Sequence, residues 1–173
     1  MRVFGATVKG IVSVLAFGLL AAATAPAATG AALPTRETVL KAVETFAESP
    51  TSPEGRVAAE IIVRFVTDSE EVVVVVSPKA IPWLQTSRKY PESATLVTAY
   101  LAGNAAAQLK SGVKGDDAYA GELLVLATYA KLQAADPALD IPEVHNLASL
   151  ESRHELKPYL EGAAEKLKRV PAE

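Results

Sequence analysis

Residues 69–85 read SEEVVVVVSPKAIPWLQ, five valines in a row between a pair of glutamates and a Ser-Pro break. Valine favours extended backbone because its branched β-carbon is stiff and fits a pleated surface. The rest of the chain, however, is patterned as helix. A strand at residues 72–76 needs a partner, and no other segment offers a convincing one. Left alone, it would leave N–H and C=O groups without hydrogen bonds. Valine in a helix, by contrast, costs only about a few tenths of a kcal/mol per residue. Ser69, Glu70 and Glu71 also make a reasonable helix start, and Ser77-Pro78 a stop. The expectation is therefore a short central helix, covered on all sides. The alternative is one short strand at 72–76, paired with an unforeseen segment or across a dimer. In either case Glu70, Glu71, Pro78 and Lys79 guard the apolar run against aggregation.

Outward from this stretch, helical signals dominate. Thr35 is placed to cap a helix with apolar positions Val39, Leu40, Val43, Phe46 and Ala47. Ser52-Pro53 starts a second, with Ala58, Ile61, Ile62, Phe65 and Val66 on one face. Arg56, Glu60 and Arg64 recur on its other face, the pattern of a solvated, mutually paired surface rather than an anion site. After Pro91, Val97, Leu101, Ala105 and Leu109 recur every four residues, beside a small-residue face containing Gly103. Gly112 ends that helix, and Asp116-Asp117 opens the next, where two acids suit the helix dipole better than a metal. That next helix carries Tyr119, Leu123, Leu126 and Ala130 on one face and stops at Asp136-Pro137. Its last part, TYAKLQAADP, resembles the second half of a tetratricopeptide unit over about ten residues, which implies helix pairing. Asp140 and Glu143 form a capping-box pattern before Val144, Leu147 and Ala148. Lys157-Pro158 breaks that helix, and YLEGAAEKLKRV forms a final one. The fold class predicted is all-α, a small antiparallel bundle of about five to seven helices.

The chain opens with Arg2 and Lys9, an apolar core at residues 11–20, and small residues including Ala25-Pro26-Ala27. This is the order of a secretory signal peptide, predicted to span residues 1–30 and to be removed. Residues 31–173 are then a single helical domain, exported to the periplasm or beyond, with no stable membrane span after cleavage. Taking Arg2 and Lys9 from the 17 basic residues leaves 15 against 20 acids, a balance of −5. Nothing in that mildly acidic chain provides the basic footprint that nucleic acid requires. The absence of cysteine excludes disulfides, thiolate metal sites and thiol nucleophiles, so apolar burial must hold the domain.

The search for chemistry is short. His145 and His154 are nine residues apart, and on one helix they would point to opposite sides. No H-E-x-x-H, G-x-S-x-G, S-x-x-K or phosphate loop occurs. Glu122, Glu143, Glu151, Glu155 and Glu161 sit among polar or solvent-type neighbours, with nothing to raise a carboxyl pKa. No catalytic residue, metal or cofactor is expected. Tyr100, Asn104 and Gln108 recur at i, i+4, i+8 beside the Ala/Gly-rich face, either pointing to water or lining a groove that hydrogen-bonds a ligand or peptide. Trp83, the only tryptophan, reads as a buried anchor, with an exposed recognition residue as the alternative. These four are the candidate contact residues. The reading they support is an exported non-enzymatic helical domain that binds a protein or peptide in the cell envelope. A small-molecule or lipid-binding bundle is the runner-up, and a carboxylate-dependent exported hydrolase comes last.

Overall fold

Thr35 begins the first helix, its Oγ1 accepting a hydrogen bond from the Thr38 N–H at 3.2 Å. Four residues after that helix ends, Ser52 repeats the device on the Gly55 N–H at 2.9 Å, with Pro53 in the first turn where its missing donor costs nothing. These local signals set α1 (Arg36–Glu48) and α2 (Pro53–Asp68) as a hairpin in a computed structural model that describes residues 32–168. The proposed leader, residues 1–30, lies outside the described residues. Val39, Val43 and Phe46 of α1 face Ala58, Ile62 and Phe65 of α2 in the core, as the apolar spacing predicts.

Beyond a stretch containing the valines, a 3₁₀ segment at Pro82–Lys89 leads into α3 (Ser93–Ser111). A left-handed Gly112 (φ 72°) closes α3 and turns the chain back into α4 (Ala118–Ala135). These two helices share the most extensive interface among the described helices. Their axes come close because Gly103 lies against the Ala120 carbonyl and Gly121 against Tyr100. A β-carbon at Gly103 would overlap the Ala120 carbonyl oxygen, which is backbone and cannot swing away. Gly103→Ala should therefore push α3 and α4 apart and destabilise the protein by about 2–3 kcal/mol in urea unfolding. A change below about 0.5 kcal/mol would show that the contact is not tight.

α3 is the central helix, packed on α1, α2, α4 and the 3₁₀ segment, and it is buried nearly all round. The face of α4 differs from the sequence expectation. Gly121, Glu122, Val125, Thr128, Tyr129 and Leu132 are buried, whereas Leu123 is 40% exposed. α4 is apolar on almost every side, so periodicity does not choose a face; the Gly121–Tyr100 contact does.

The chain ends in α5 (Pro142–Ser152) and α6 (Leu156–Lys168). The capping box at Asp140 and Glu143 does not form. Ile141 occupies the cap position, its N–H donating to the Tyr129 hydroxyl at 2.9 Å, and Asp140 pairs instead with His145 at 3.0 Å. The break also falls earlier than Lys157-Pro158. His154 takes a left-handed turn (φ 59°), and α6 starts at Leu156 with Pro158 in its first turn. Trp83 is fully buried where the 3₁₀ segment meets α3 and α5. The architecture is thus all-helical, with six α-helices among the described residues, none long and apolar enough to cross a membrane.

Candidate functional site

Residues 72–76 form no helix. They join the end of α2 to the turn before the 3₁₀ segment and belong to no strand ladder, and the bonding of Val73 and Val75, two apart, toward one side is the spacing of extended backbone. The expectation of a short central helix is therefore corrected, and the reason lies on α3. Tyr100 and Gln108 on one face of α3, with Asp116 from the α3–α4 loop, supply the hydrogen bonds that a neighbouring strand would otherwise give, and Asn104 between them bonds Gln108 and Asp116.

The Gln108 carboxamide acts as a peptide group in side-chain form. Its Oε1 accepts from the Val73 N–H at 2.9 Å, and its Nε2 donates to the Val73 carbonyl at 2.8 Å. The same Oε1 accepts from the Gly115 N–H at 3.0 Å, and Nε2 also donates to Asn104 Oδ1 at 2.7 Å. Two residues along, Tyr100 donates its hydroxyl proton to the Val75 carbonyl at 2.9 Å. The Val75 N–H goes to Asp116 Oδ1 at 2.8 Å, which also accepts from Asn104 Nδ2 at 2.7 Å. Asn104 Oδ1 completes the set by accepting from the Asp117 N–H at 3.0 Å. Every polar atom of Gln108 and Asn104 named here is satisfied, and the valine segment and the α3–α4 loop are fastened by one network.

This placement gives the segment two unlike edges. Val73 and Val75 turn their backbone groups toward α3. Along an extended chain the groups of Val72, Val74 and Val76 must turn the other way. Among the described residues those outer groups meet no hydrogen-bond partner. The side chains alternate only as far as Val75: Val72 is buried and Val74 half-buried, Val73 and Val75 are 41% and 43% exposed, and Val76 at the end of the segment is 52% exposed. At 6% exposure Val72 leaves no open edge, so the accessible part of this side is confined to Val74 and Val76.

The four candidate contact residues therefore separate. Tyr100, Asn104 and Gln108 are brought together, buried, and bonded to this chain's own backbone rather than to water. Burial holds the Tyr100 phenol well above its usual range, with Asp116 and Glu122 nearby reinforcing the effect. Trp83 sits apart from them in the core. Asp117 does cap α4, accepting from the Ala120 N–H at 2.9 Å, whereas Asp116 belongs to the valine network. Arg64, from the charged row of α2, lies 3.9 Å from Asp68 on an exposed face.

One group was misread from the sequence. Glu122 is fully buried in α4, and among the described residues neither of its carboxyl oxygens has a hydrogen-bond partner. Burial pushes its pKa up to about 9, so it is neutral at pH 7. No local signal marked it: Glu122 shares a face with Val125 and Tyr129, but α4 is apolar on almost every side and its spacing singles out no inward direction. His145 bonds Asp140 and the Tyr129 hydroxyl, and His154 lies in the turn after α5. No group of three or more histidines or acids is placed to hold a metal ion among the described residues.

A cleft of about 300 Å³ lies beside this network, lined by Val75, Ser77, Tyr100, Asp116, Lys157 and Glu161 among others. An open groove of about 520 Å³ runs between α1 and α2. What the fold and site define together is a helical unit that presents one side-chain-anchored extended segment. No family model matches the chain, and no curated protein or solved structure matches it.

Proposed function

We propose that this chain is an exported, non-enzymatic helical module that binds a protein or peptide partner in the cell envelope, with residues 72–76 as its contact element. The observation that carries this reading is the exposure of Val73, Val75 and Val76, three apolar side chains held toward solvent on a segment fastened by Gln108, Tyr100 and Asp116. The leader-like order at the N-terminus supports export. The close α3–α4 packing at Gly103 and Gly121 supports a filled interior over a hollow, lipid-binding one.

The test is a photo-crosslinking residue at Val75 in the full chain, irradiated in intact cells. A discrete adduct is expected in the envelope fraction, on a protein whose N-terminus maps between Ala25 and Leu33. The same probe at Lys114, exposed in the α3–α4 loop, should give none. An uncleaved Met1, or an adduct at Lys114 but not at Val75, would overturn the reading.

A further inference from the structure

The cleft beside the valine segment is apolar below and acidic at its mouth. We infer that it receives a segment of a partner protein in which an apolar side chain is flanked by lysine or arginine, the apolar side chain seated beside Val75. This inference rests on the reading of residues 72–76 as the contact element and goes on to name the partner's chemistry.

Burial divides the cleft into a floor and a rim. Ala80, Tyr100 and Leu160 line it and are 3%, 0% and 5% exposed, so they form the floor. The Tyr100 hydroxyl already donates to the Val75 carbonyl, which leaves the floor little to offer a charged group. At about 300 Å³ the space is at the small end of ligand pockets, suited to one apolar side chain. Val75 forms part of the wall and is exposed, as is Val76 after it, so apolar surface continues from the cleft onto the segment.

Charge selects the neighbours of that side chain. Asp116, Asp117 and Glu161 line the cleft against one cation, Lys157, and Asp116 and Glu161 are exposed at its rim. One oxygen of Asp116 takes the Val75 N–H and Asn104, and one oxygen of Asp117 takes the Ala120 N–H. Among the described residues the second oxygen of each accepts nothing. Lys157 is held loosely, 4.0 Å from Glu161 Oε1 and 5.9 Å from the centre of the Tyr119 ring, with its side chain 61% exposed. An exposed pair of this kind is worth little, so a partner's cation competes for both the carboxylate and the ring face. Lys79 does not offset the acids, because it donates to the Tyr159 carbonyl and lies 4.0 Å over that ring. Lys114 is exposed in the α3–α4 loop and does not line the cleft. Burial first, then Asp116 with Glu122 and Asp117, holds the Tyr100 phenol above its usual range, so the acids' field reaches the floor. An apolar floor under an acidic rim complements an apolar side chain between basic ones, the core-and-rim order of a protein interface.

The experiment titrates the protein, purified from cells expressing the full chain, with a synthetic peptide carrying one leucine between pairs of lysines, followed by amide NMR shifts. Shifts are expected at Val75, Tyr119 and Leu160, with an affinity that weakens as salt rises. Serine in place of the peptide's leucine should weaken binding about tenfold or more, and glutamates in place of its lysines should abolish it. Glu161→Gln should weaken binding about threefold, and Lys157→Gln should strengthen it by about as much. Both variants break the same exposed Lys157–Glu161 pair, so a merely structural effect would move them in one direction. Equal binding of the glutamate peptide, no shift at the cleft with the lysine peptide, or both variants moving in one direction would overturn the inference. The Val75 crosslink separates the two readings. If that probe captures a protein at a segment with no basic residue beside an apolar one, the inferred partner chemistry fails alone. If it captures nothing, the contact-element reading fails with it.

Discussion

Replacing Gln108 with leucine should destabilise the protein by about 3–5 kcal/mol and release residues 72–76 from α3. Leucine fills similar space but leaves the Val73 N–H, the Val73 carbonyl and the Gly115 N–H without their partner, while Asn104 Oδ1 keeps only the Asp117 N–H. An unsatisfied buried group costs about 1–3 kcal/mol, and the total is held down because the freed segment hydrates when it lifts. Urea unfolding measures the loss. Amide hydrogen exchange locates it, since the Val73 and Gly115 amides should exchange faster while those of α1 keep their rank order. A variant within about 1 kcal/mol of wild type, with Val73 still protected, would mean that something other than Gln108 holds the segment.

Glu122 should make stability fall as pH rises, through a window that few buried groups reach. The folded protein keeps this carboxyl protonated up to about 9, whereas its ordinary value is 4.5. Between those values the folded state binds a proton that the unfolded chain has released. Its contribution is therefore complete below about 4.5 and is lost progressively as pH climbs toward 9. The slope is about 1.4 kcal/mol per pH unit within that window. Glu122→Gln copies the neutral acid in shape and does not titrate. It should flatten the slope and, if as stable as wild type at acid pH, be more stable than wild type at pH 8 by on the order of 5 kcal/mol. Unfolding free energies at several pH values, compared between the two proteins, read out the difference directly. Parallel profiles for wild type and variant would show that Glu122 is ionised in the folded protein.

Much of the helical framework was legible because helix ends are local chemistry. Thr35, Ser52 with Pro53, Gly112 and Asp117 each act on backbone groups within a few residues, so their meaning does not depend on the fold. The inward faces of α1 and α2 were legible for a related reason: each has a polar side, so the apolar spacing selects one direction. At Asp140 the local pattern failed because a distant residue took over. The Tyr129 hydroxyl accepts the Ile141 N–H, and the helix starts one residue later than the capping box implied.

For the valine segment, the sequence favours a helix over a strand for want of a partner strand, with the strand at 72–76 as the alternative. The premise was too narrow. Backbone groups need hydrogen bonds, and a row of side chains supplies them as well as another backbone does. Tyr100, Asn104 and Gln108 were visible as a row, and so were the valines. Nothing in the order of residues joins them, since the bonds span 25 to 41 positions.

The sequence by itself therefore determined the helices, their caps and the inward faces of α1 and α2, because those follow from interactions within one or two turns. Tertiary structure alone decided three things: which side of α4 is buried, that Glu122 lies on it, and that five valines run extended. The reason is the same in each case. α3 and α4 are apolar nearly all round and valine tolerates either backbone, so local preference was close to balanced. A glycine contact at Gly121 and a carboxamide at Gln108 then settled what the local preferences left open.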